Sequence, residues 1–200
     1  LLERQTEEGY WIFETLEYDA KRIHVVDCLE AAKSLFVCYE ITGKIKYKIS
    51  ALKSLKFILM KGFAMRKGHF FIKYYLDQKS SDEMSVSVST LALHVFSYLI
   101  KYNIWQKNNV FFKGLIRFVS SYQHSNGCFA YNDLRPYYQS PQYNSFQYID
   151  LFNYKLLSKD KSVDSILNLN LDYLKSKVNS DGSVPSDYPF GLNKDFRFTY

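Results

Sequence analysis

Cysteine is scarce in this chain, and its spacing excludes a disulfide framework. Three cysteines occur among 200 residues, at Cys28, Cys38 and Cys128, and no two of them form a CxxC pair. Cys28 and Cys38 fall in one predicted helix, where ten residues span ~15 Å, which is too far for a disulfide. We therefore predict reduced core cysteines, and this favours a cytoplasmic location.

Sequence patterns that would indicate metal binding or membrane insertion are also lacking. No pair of His, Cys or Asp residues has recognisable ligand spacing, so we predict neither a bound metal nor a cofactor. The first residues show no signal-peptide pattern. The longest charge-free run, Met84–Ile100, has 17 residues, of which five are Ser or Thr. It predicts a buried helix rather than a membrane span.

The basic charge is spread thinly along the chain. Lys and Arg number 26 against 20 Asp and Glu, giving a net charge of +6, and most of the excess is scattered lysine. Such a surplus keeps a protein in solution and, without a binding motif, does not indicate nucleic acid. An anionic partner such as an acidic sugar or a phosphate ester fits this balance better. Aromatic residues are abundant, with 18 Tyr and 16 Phe, so we expect some rings to line a groove.

Four glycines recur at intervals of 59, 59 and 55 residues: Gly9, Gly68, Gly127 and Gly182. Each is followed two residues later by an apolar side chain: Trp11, Phe70, Phe129 and Val184. Regular intervals of this kind are typical of stacked repeats. The sequence therefore predicts a single helical-repeat domain, with repeats near 9–67, 68–126 and 127–181 and a partial repeat at 182–200.

Each repeat contains an apolar helix followed by an amphipathic one. The apolar helices are expected on the inside and the amphipathic helices on the outside, which makes an all-α arc of helical hairpins. Asp19 and then Ser81 or Asp82 are the expected N-caps of the first two inner helices. The predicted helices run from Asp19 to Ile41, 45–60, from Ser81 or Asp82 to Tyr102, 109–123, 141–157 and 162–177.

One repeat carries a motif that resembles a known family. Lys113-Gly114, Phe118-Val119, Gln123 and Gly127-x-Phe129 are similar to the repeat of squalene-cyclase and protein-prenyltransferase-like α/α toroids. Gln5, Gly9 and Trp11 match its latter half. The resemblance implies an α/α toroid or an open, incomplete arc of about three hairpins. It also implies that the Gln and the aromatic residue tie neighbouring hairpins together.

The same toroid is similar to that of uronate epimerases, polysaccharide lyases and some glycoside hydrolases, which place polar and aromatic residues on loops and inner-helix starts. The resemblance implies an acidic or polar glycan on the rim formed by the glycine loops. It leaves open whether the protein is an enzyme, and if it is, implies a glycan-acting epimerase, lyase or hydrolase. Carboxylates act there as acids or bases, and Arg can pair with an acidic group. The candidate catalytic residues are Asp133, Arg135, Asp150 and His24. The candidate substrate-binding residues are Tyr131, Tyr137, Tyr138, Gln142, Tyr143, Asn144, Gln147, Tyr74, Tyr18 and Trp11.

Other interpretations of these residues stay open. Asp133 and Arg135 would also fit a local surface pair, and His94, in an apolar helix, fits a core histidine. A helical-repeat scaffold that binds a protein and catalyses nothing is the alternative function. A relative of isoprenoid cyclases or prenyltransferases is a second alternative, although the Asp-rich DxDD and DDxxD motifs of such enzymes are absent.

Overall fold

Six α-helices and two β-strands form the arc of hairpins in the part of the chain that the structure describes, which is residues 1–12, 23–76, 84–107, 109–136 and 140–184. The structure is a computed structural model. The helices are α1 (Val25–Thr42), α2 (Ile45–Lys61), α3 (Val86–Lys101), α4 (Val110–Ser121), α5 (Pro141–Ser158) and α6 (Asp164–Ser176), and the strands are β1 (Phe63–Arg66) and β2 (His69–Ile72).

The helices form three hairpins with an inner and an outer row. Helix α3 packs against α1 on one side and α5 on the other, while α2, α4 and α6 each pack on the inner helix that precedes them. Residues 88–99 of α3 are all buried. This confirms the prediction that Met84–Ile100 contains a buried helix, and no helix among the described residues is long and apolar enough to cross a membrane.

Two inner helices begin later than the sequence predicts. Helix α1 begins at Val25 with His24 as its N-cap, and α3 begins at Val86 with Ser85 as its N-cap. The backbone of His24 pairs with Tyr75 and that of Ser85 pairs with Asn132, so both caps are held extended by neighbouring loops. These tertiary contacts explain why the predicted starts are wrong. The expected caps Asp19, Ser81 and Asp82 lie outside the described residues.

A β-hairpin between α2 and α3 was not predicted. Strands β1 and β2 pair antiparallel, with Phe63 opposite Ile72 and Arg66 opposite His69. The two turn residues Lys67 and Gly68 both have positive φ, at 52° and 76°, as tight hairpin turns require. The all-α prediction therefore needs this one addition.

The turns around three of the spaced glycines, which we call the glycine corners, share one pattern of backbone hydrogen bonds. In each corner, the glycine N–H donates to the carbonyl oxygen of the residue three positions before it. The N–H of that residue donates to the carbonyl oxygen of the residue after the glycine. The three corners are Thr6–Tyr10, His124–Cys128 and Asn179–Ser183, and their glycines have φ of 107°, 86° and 81°. The same geometry therefore recurs at three of the four regularly spaced glycines, whereas Gly68 lies in the turn of the β-hairpin.

Two of these corners pack on the outer helix of the hairpin that follows them in the chain. Gln5 Nε2 donates to the carbonyl oxygens of Gly9 and Ser50, both at 3.0 Å, which ties the first corner to α2. Gln123 Nε2 donates to Gly127 O at 3.1 Å and to Ile166 O at 2.9 Å, which ties the second to α6. Both glutamines therefore hold neighbouring elements together, as the resemblance implied.

Trp11 and Phe129, the aromatic residues of these two corners, are buried in the core. The Trp11 indole N–H donates to the carbonyl oxygen of Leu1 at 2.8 Å. Its ring is therefore part of the hairpin packing rather than of an open surface, which corrects its expected role in binding substrate.

Candidate functional site

The inner helices begin at one rim of the arc, which we call the glycine-loop rim and define by the three N-caps His24, Ser85 and Ser140. His24 lies among aromatic rings there, with its ring centroid 4.8 Å from that of Tyr75 and 6.2 Å from that of Tyr74. Its Nδ1 is 3.2 Å from Asp27 Oδ2. Burial raises the pKa of the Asp27 carboxyl, and the nearby His24 limits that rise. The start of α1 thus supplies an imidazole and a carboxyl, and the segment after β2 supplies two rings.

A second group of rim residues surrounds the start of α5. The rings of Tyr131 and Tyr143 meet edge to face with centroids 4.8 Å apart, and both side chains are half-buried. Gln142 and Arg135, which lie close to these tyrosines in the sequence, are exposed to solvent. Asn144 has a different role, because it is buried and accepts from Phe129 N at 2.7 Å and Asn170 Nδ2 at 2.9 Å. We therefore assign Asn144 to the hairpin packing rather than to substrate contact.

Asp133 holds the loops together. Its side chain is 2% exposed, forms a salt bridge with Arg66 of β1, and accepts from Met84 N at 2.7 Å. Lys67 Nζ lies 3.7 Å away. These partners fix the third loop to the β-hairpin and to the start of α3, so the local surface pair with Arg135 is not the main role of this carboxylate. Its oxygens are engaged, and we leave Asp133 out of the proposed catalytic group.

A buried histidine–carboxylate pair joins two inner helices near their midpoints. His94 Nδ1 of α3 lies 2.9 Å from Asp150 Oδ1 of α5, and the two residues are 8% and 9% exposed. The Tyr98 ring lies nearly parallel to that of His94 at 6.2 Å, and it stacks on Phe36 of α1 at 4.5 Å. Burial raises the pKa of the Tyr98 hydroxyl, and the charge of Glu40 adds to this rise. All three inner helices therefore contribute to one cluster.

His94 is the residue that sequence reasoning missed. It was interpreted as a core histidine, while its partner Asp150 was a catalytic candidate. The two are separated by 56 residues, which is close to the repeat intervals of 55 and 59 residues. Residues one repeat apart occupy equivalent positions on adjacent inner helices. The repeat length was therefore the signal that could have paired them.

Gln147 lies one turn before Asp150 on α5. It is 1% exposed, and neither its amide nitrogen nor its amide oxygen has a hydrogen-bond partner in the described parts of the chain. Tyr143 lies one turn before Gln147. Because the spacing of the three residues is i, i+4 and i+7, Tyr143, Gln147 and Asp150 follow one face of the helix.

The structure brings the candidates together in three groups rather than in one loop. His24 lies beside Tyr74, Tyr131 lies beside Tyr143, and Asp150 lies beside His94. Three candidates, Tyr18, Tyr137 and Tyr138, lie outside the described residues. Among the residues that are described, no group of three or more His, Cys, Asp or Glu side chains is arranged to hold a metal ion.

The three hairpins, with the inner helices side by side and the outer helices behind them, have the architecture of an α/α toroid. Solved structures with this fold superpose on most of the chain. A D-mannose isomerase matches with a TM-score of 0.71 and 10% identity, covering 92% of this chain and 50% of its own. A possible member of the GH105 family from Klebsiella pneumoniae matches with a TM-score of 0.71 and 11% identity. The match covers 95% of this chain and 53% of the Klebsiella protein. A polysaccharide lyase matches with a TM-score of 0.61 and 14% identity, and the match covers 90% of this chain and 55% of the lyase.

These similarities establish the fold, and they are to carbohydrate-processing enzymes. The chain spans about half the length of the solved structures that it matches. No protein-family model matches the sequence, and no curated protein sequence is detectably similar to it.

Proposed function

We propose that this chain is a glycan-processing α/α-toroid domain that binds an acidic or polar glycan, and that the His94–Asp150 pair transfers a proton during the reaction. The observation that carries the proposal is the 2.9 Å contact between His94 Nδ1 and Asp150 Oδ1 on adjacent inner helices. The enzymes of similar fold, which include an isomerase and a lyase, support the same class of substrate.

The geometry of the pair suits general acid–base catalysis. With the Nδ1–H of His94 donating to the carboxylate, the ring is oriented and Nε2 is left to exchange a proton with the glycan. The contact with Asp150 is made by Nδ1 of His94, the other ring nitrogen. Asp150 compensates the positive charge that the imidazole acquires. Since water is largely excluded from the pair, this electrostatic contribution is stronger than it would be at the surface.

The aromatic residues of the glycine-loop rim would hold the glycan. Tyrosine rings present apolar faces on which sugar rings stack, and their hydroxyls supply hydrogen bonds. Tyr131 and Tyr143 lie at the start of α5, and Tyr74 lies beside His24. The net charge of +6 favours an acidic glycan over a basic one. Exposed Gln142 and Arg135 are the additional polar contacts of this proposal.

Turnover of a panel of acidic and neutral oligosaccharides tests the proposal, using Asp150→Asn and His94→Gln. Both substitutions keep the approximate size of the side chain but remove the ionisable group. We expect kcat to fall by about 10²- to 10⁴-fold, the usual contribution of a general acid or base. Asp172→Asn makes the same chemical change at an exposed position of α6 and should leave kcat unchanged.

Thermal unfolding of each variant separates loss of chemistry from loss of structure. A variant that unfolds near the wild-type temperature but has lost turnover supports the proposal. Wild-type turnover in Asp150→Asn, on a glycan that the unmodified protein processes, would exclude the pair from the reaction. If the unmodified protein neither binds nor processes any glycan of the panel, the proposed function itself is wrong.

A further inference from the structure

The side chain of Gln147 is an amide buried on helix α5. It is 1% exposed, and both of its polar atoms lack hydrogen bonds in the described parts of the chain. A buried amide in this condition destabilises the folded protein, because it has lost its hydrogen bonds to water and gained none in return. Such a group persists most readily where function requires it.

Other amides in these hairpins make hydrogen bonds, and buried Asn170, whose Oδ1 lacks a partner among the described residues, still donates from Nδ2 to Gly127 O and Asn144 Oδ1. Asn144, one turn before Gln147 on α5, accepts from Phe129 N and donates to Ser140 O at 2.9 Å. Gln123 donates to two carbonyl oxygens across the hairpin joint. Each of these amides therefore has at least one hydrogen bond that ties neighbouring elements together. Gln147 does not belong to that network.

The neighbours of Gln147 on α5 are residues of the proposed site. Tyr143 and Asp150 lie four residues before it and three residues after it, on the same face. Across two helical turns, ~10.5 Å at ~1.5 Å per residue, this face presents an aromatic ring, an amide and a carboxylate in that order. Asp150 in turn contacts His94 of α3. In the proposed function, a sugar bound between Tyr143 and Asp150 would therefore lie beside Gln147.

We propose that Gln147 is a specificity-determining residue, whose carboxamide exchanges a donor and an acceptor hydrogen bond with hydroxyl groups of the bound glycan. The inference rests on the proposed function and adds a named recognition contact to it. A carboxamide suits this role because it offers an N–H₂ donor and a carbonyl acceptor on one planar group. A site built to pair with a hydroxyl discriminates strongly against an analogue that lacks it.

Gln147→Leu is the decisive variant, because it keeps the size of the side chain and removes both polar atoms. Without glycan, we expect its unfolding temperature to rise by about 2–4 °C, since an unpaired buried amide has been replaced by an apolar group. Its Kd for any oligosaccharide bound by the unmodified protein should weaken by about tenfold or more. Gln106→Leu is the matched control, at an exposed glutamine between α3 and α4. It should leave the Kd unchanged.

Calorimetric titration with an acidic and neutral oligosaccharide panel, together with thermal unfolding, gives the two measurements. Higher stability with weaker binding supports the inference. Lower stability in Gln147→Leu would mean that the amide stabilises the fold, and this overturns the inference whether or not a glycan binds. Equal Kd values for the variant and the unmodified protein overturn it as well, while leaving the proposed function intact. If the unmodified protein binds no oligosaccharide, both proposals fail together.

Discussion

Gly127→Ala should destabilise the protein far more than the same change at Gly182. The two glycines occupy the same corner geometry, with φ of 86° and 81°, so the strain of a positive φ in alanine is nearly equal at both. Their surroundings differ. A Cβ on Gly127 would lie closer than 3.0 Å to the carbonyl oxygen of Leu169 in α6, whereas a Cβ on Gly182 would meet nothing within 4 Å.

The magnitude follows from these contacts. Alanine in the left-handed region costs about 1–2 kcal/mol, and this is the whole expected effect at Gly182. At Gly127, overpacking against the α6 backbone adds about 1–3 kcal/mol. If the corner moves away, the bond from Gln123 to Ile166 is lost as well, which adds about 1 kcal/mol. The excess of about 2–4 kcal/mol corresponds to an unfolding temperature about 6–12 °C lower than that of the Gly182 variant.

Thermal and urea unfolding, followed by far-ultraviolet circular dichroism, measure this difference. Gly9→Ala is a second test, because its Cβ would lie 2.6 Å from the carbonyl oxygen of Lys53 in α2. It should resemble the Gly127 variant. Equal stabilities of the Gly127 and Gly182 variants would refute the conclusion that the corner is seated tightly on the outer helix of the next hairpin.

Two further predictions concern side chains that the fold buries. Burial raises the pKa of Cys28 to about 11 and also raises that of Cys128, so a thiol reagent at pH 8 should modify only the half-exposed Cys38 in the native protein and all three cysteines in urea. Rapid native modification of more than one thiol would contradict this. Asp133→Ala should lower the free energy of unfolding by about 3 kcal/mol, because Arg66 then loses its buried partner, whereas Asp172→Ala at an exposed site should change it little.

The sequence was most informative where the structure repeats. The regular intervals indicated turns at Gly9, Gly68, Gly127 and Gly182, and all four glycines have positive φ, although Gly68 lies in the unpredicted β-hairpin. The uncharged run Met84–Ile100, which forms nearly all of α3, was correctly predicted as a buried helix, because it is longer than a strand and uninterrupted. The first inner helix was predicted to end at Ile41, and α1 ends one residue later, at Thr42, with Gly43 as its left-handed C-cap.

The sequence was least informative where contacts between repeats decide the outcome. The late starts of α1 and α3 depend on backbone pairing of His24 and Ser85 with distant loops, and the N-cap rules consider only neighbours in sequence. The partner of Asp133 is Arg66, 67 residues away, and no local pattern predicts this pair. Asp150 was identified as a site candidate, but His94 was not, since only the repeat spacing, and no local pattern around His94, points to its partner.

Because two of the corners pack on an outer helix that follows them in the chain, the contacts of a hairpin extend beyond the boundaries of the sequence repeats. Gln123 and Gly127 follow α4 along the chain, yet their hydrogen bond and closest approach are to α6, on the far side of α5 in sequence. A cut made at the glycine repeat boundary would therefore leave α6 without the glutamine that clasps it. Fragments intended to fold alone should instead begin before Gln5 or Gln123, so that each contains the glutamine that bonds to its own outer helix, α2 or α6.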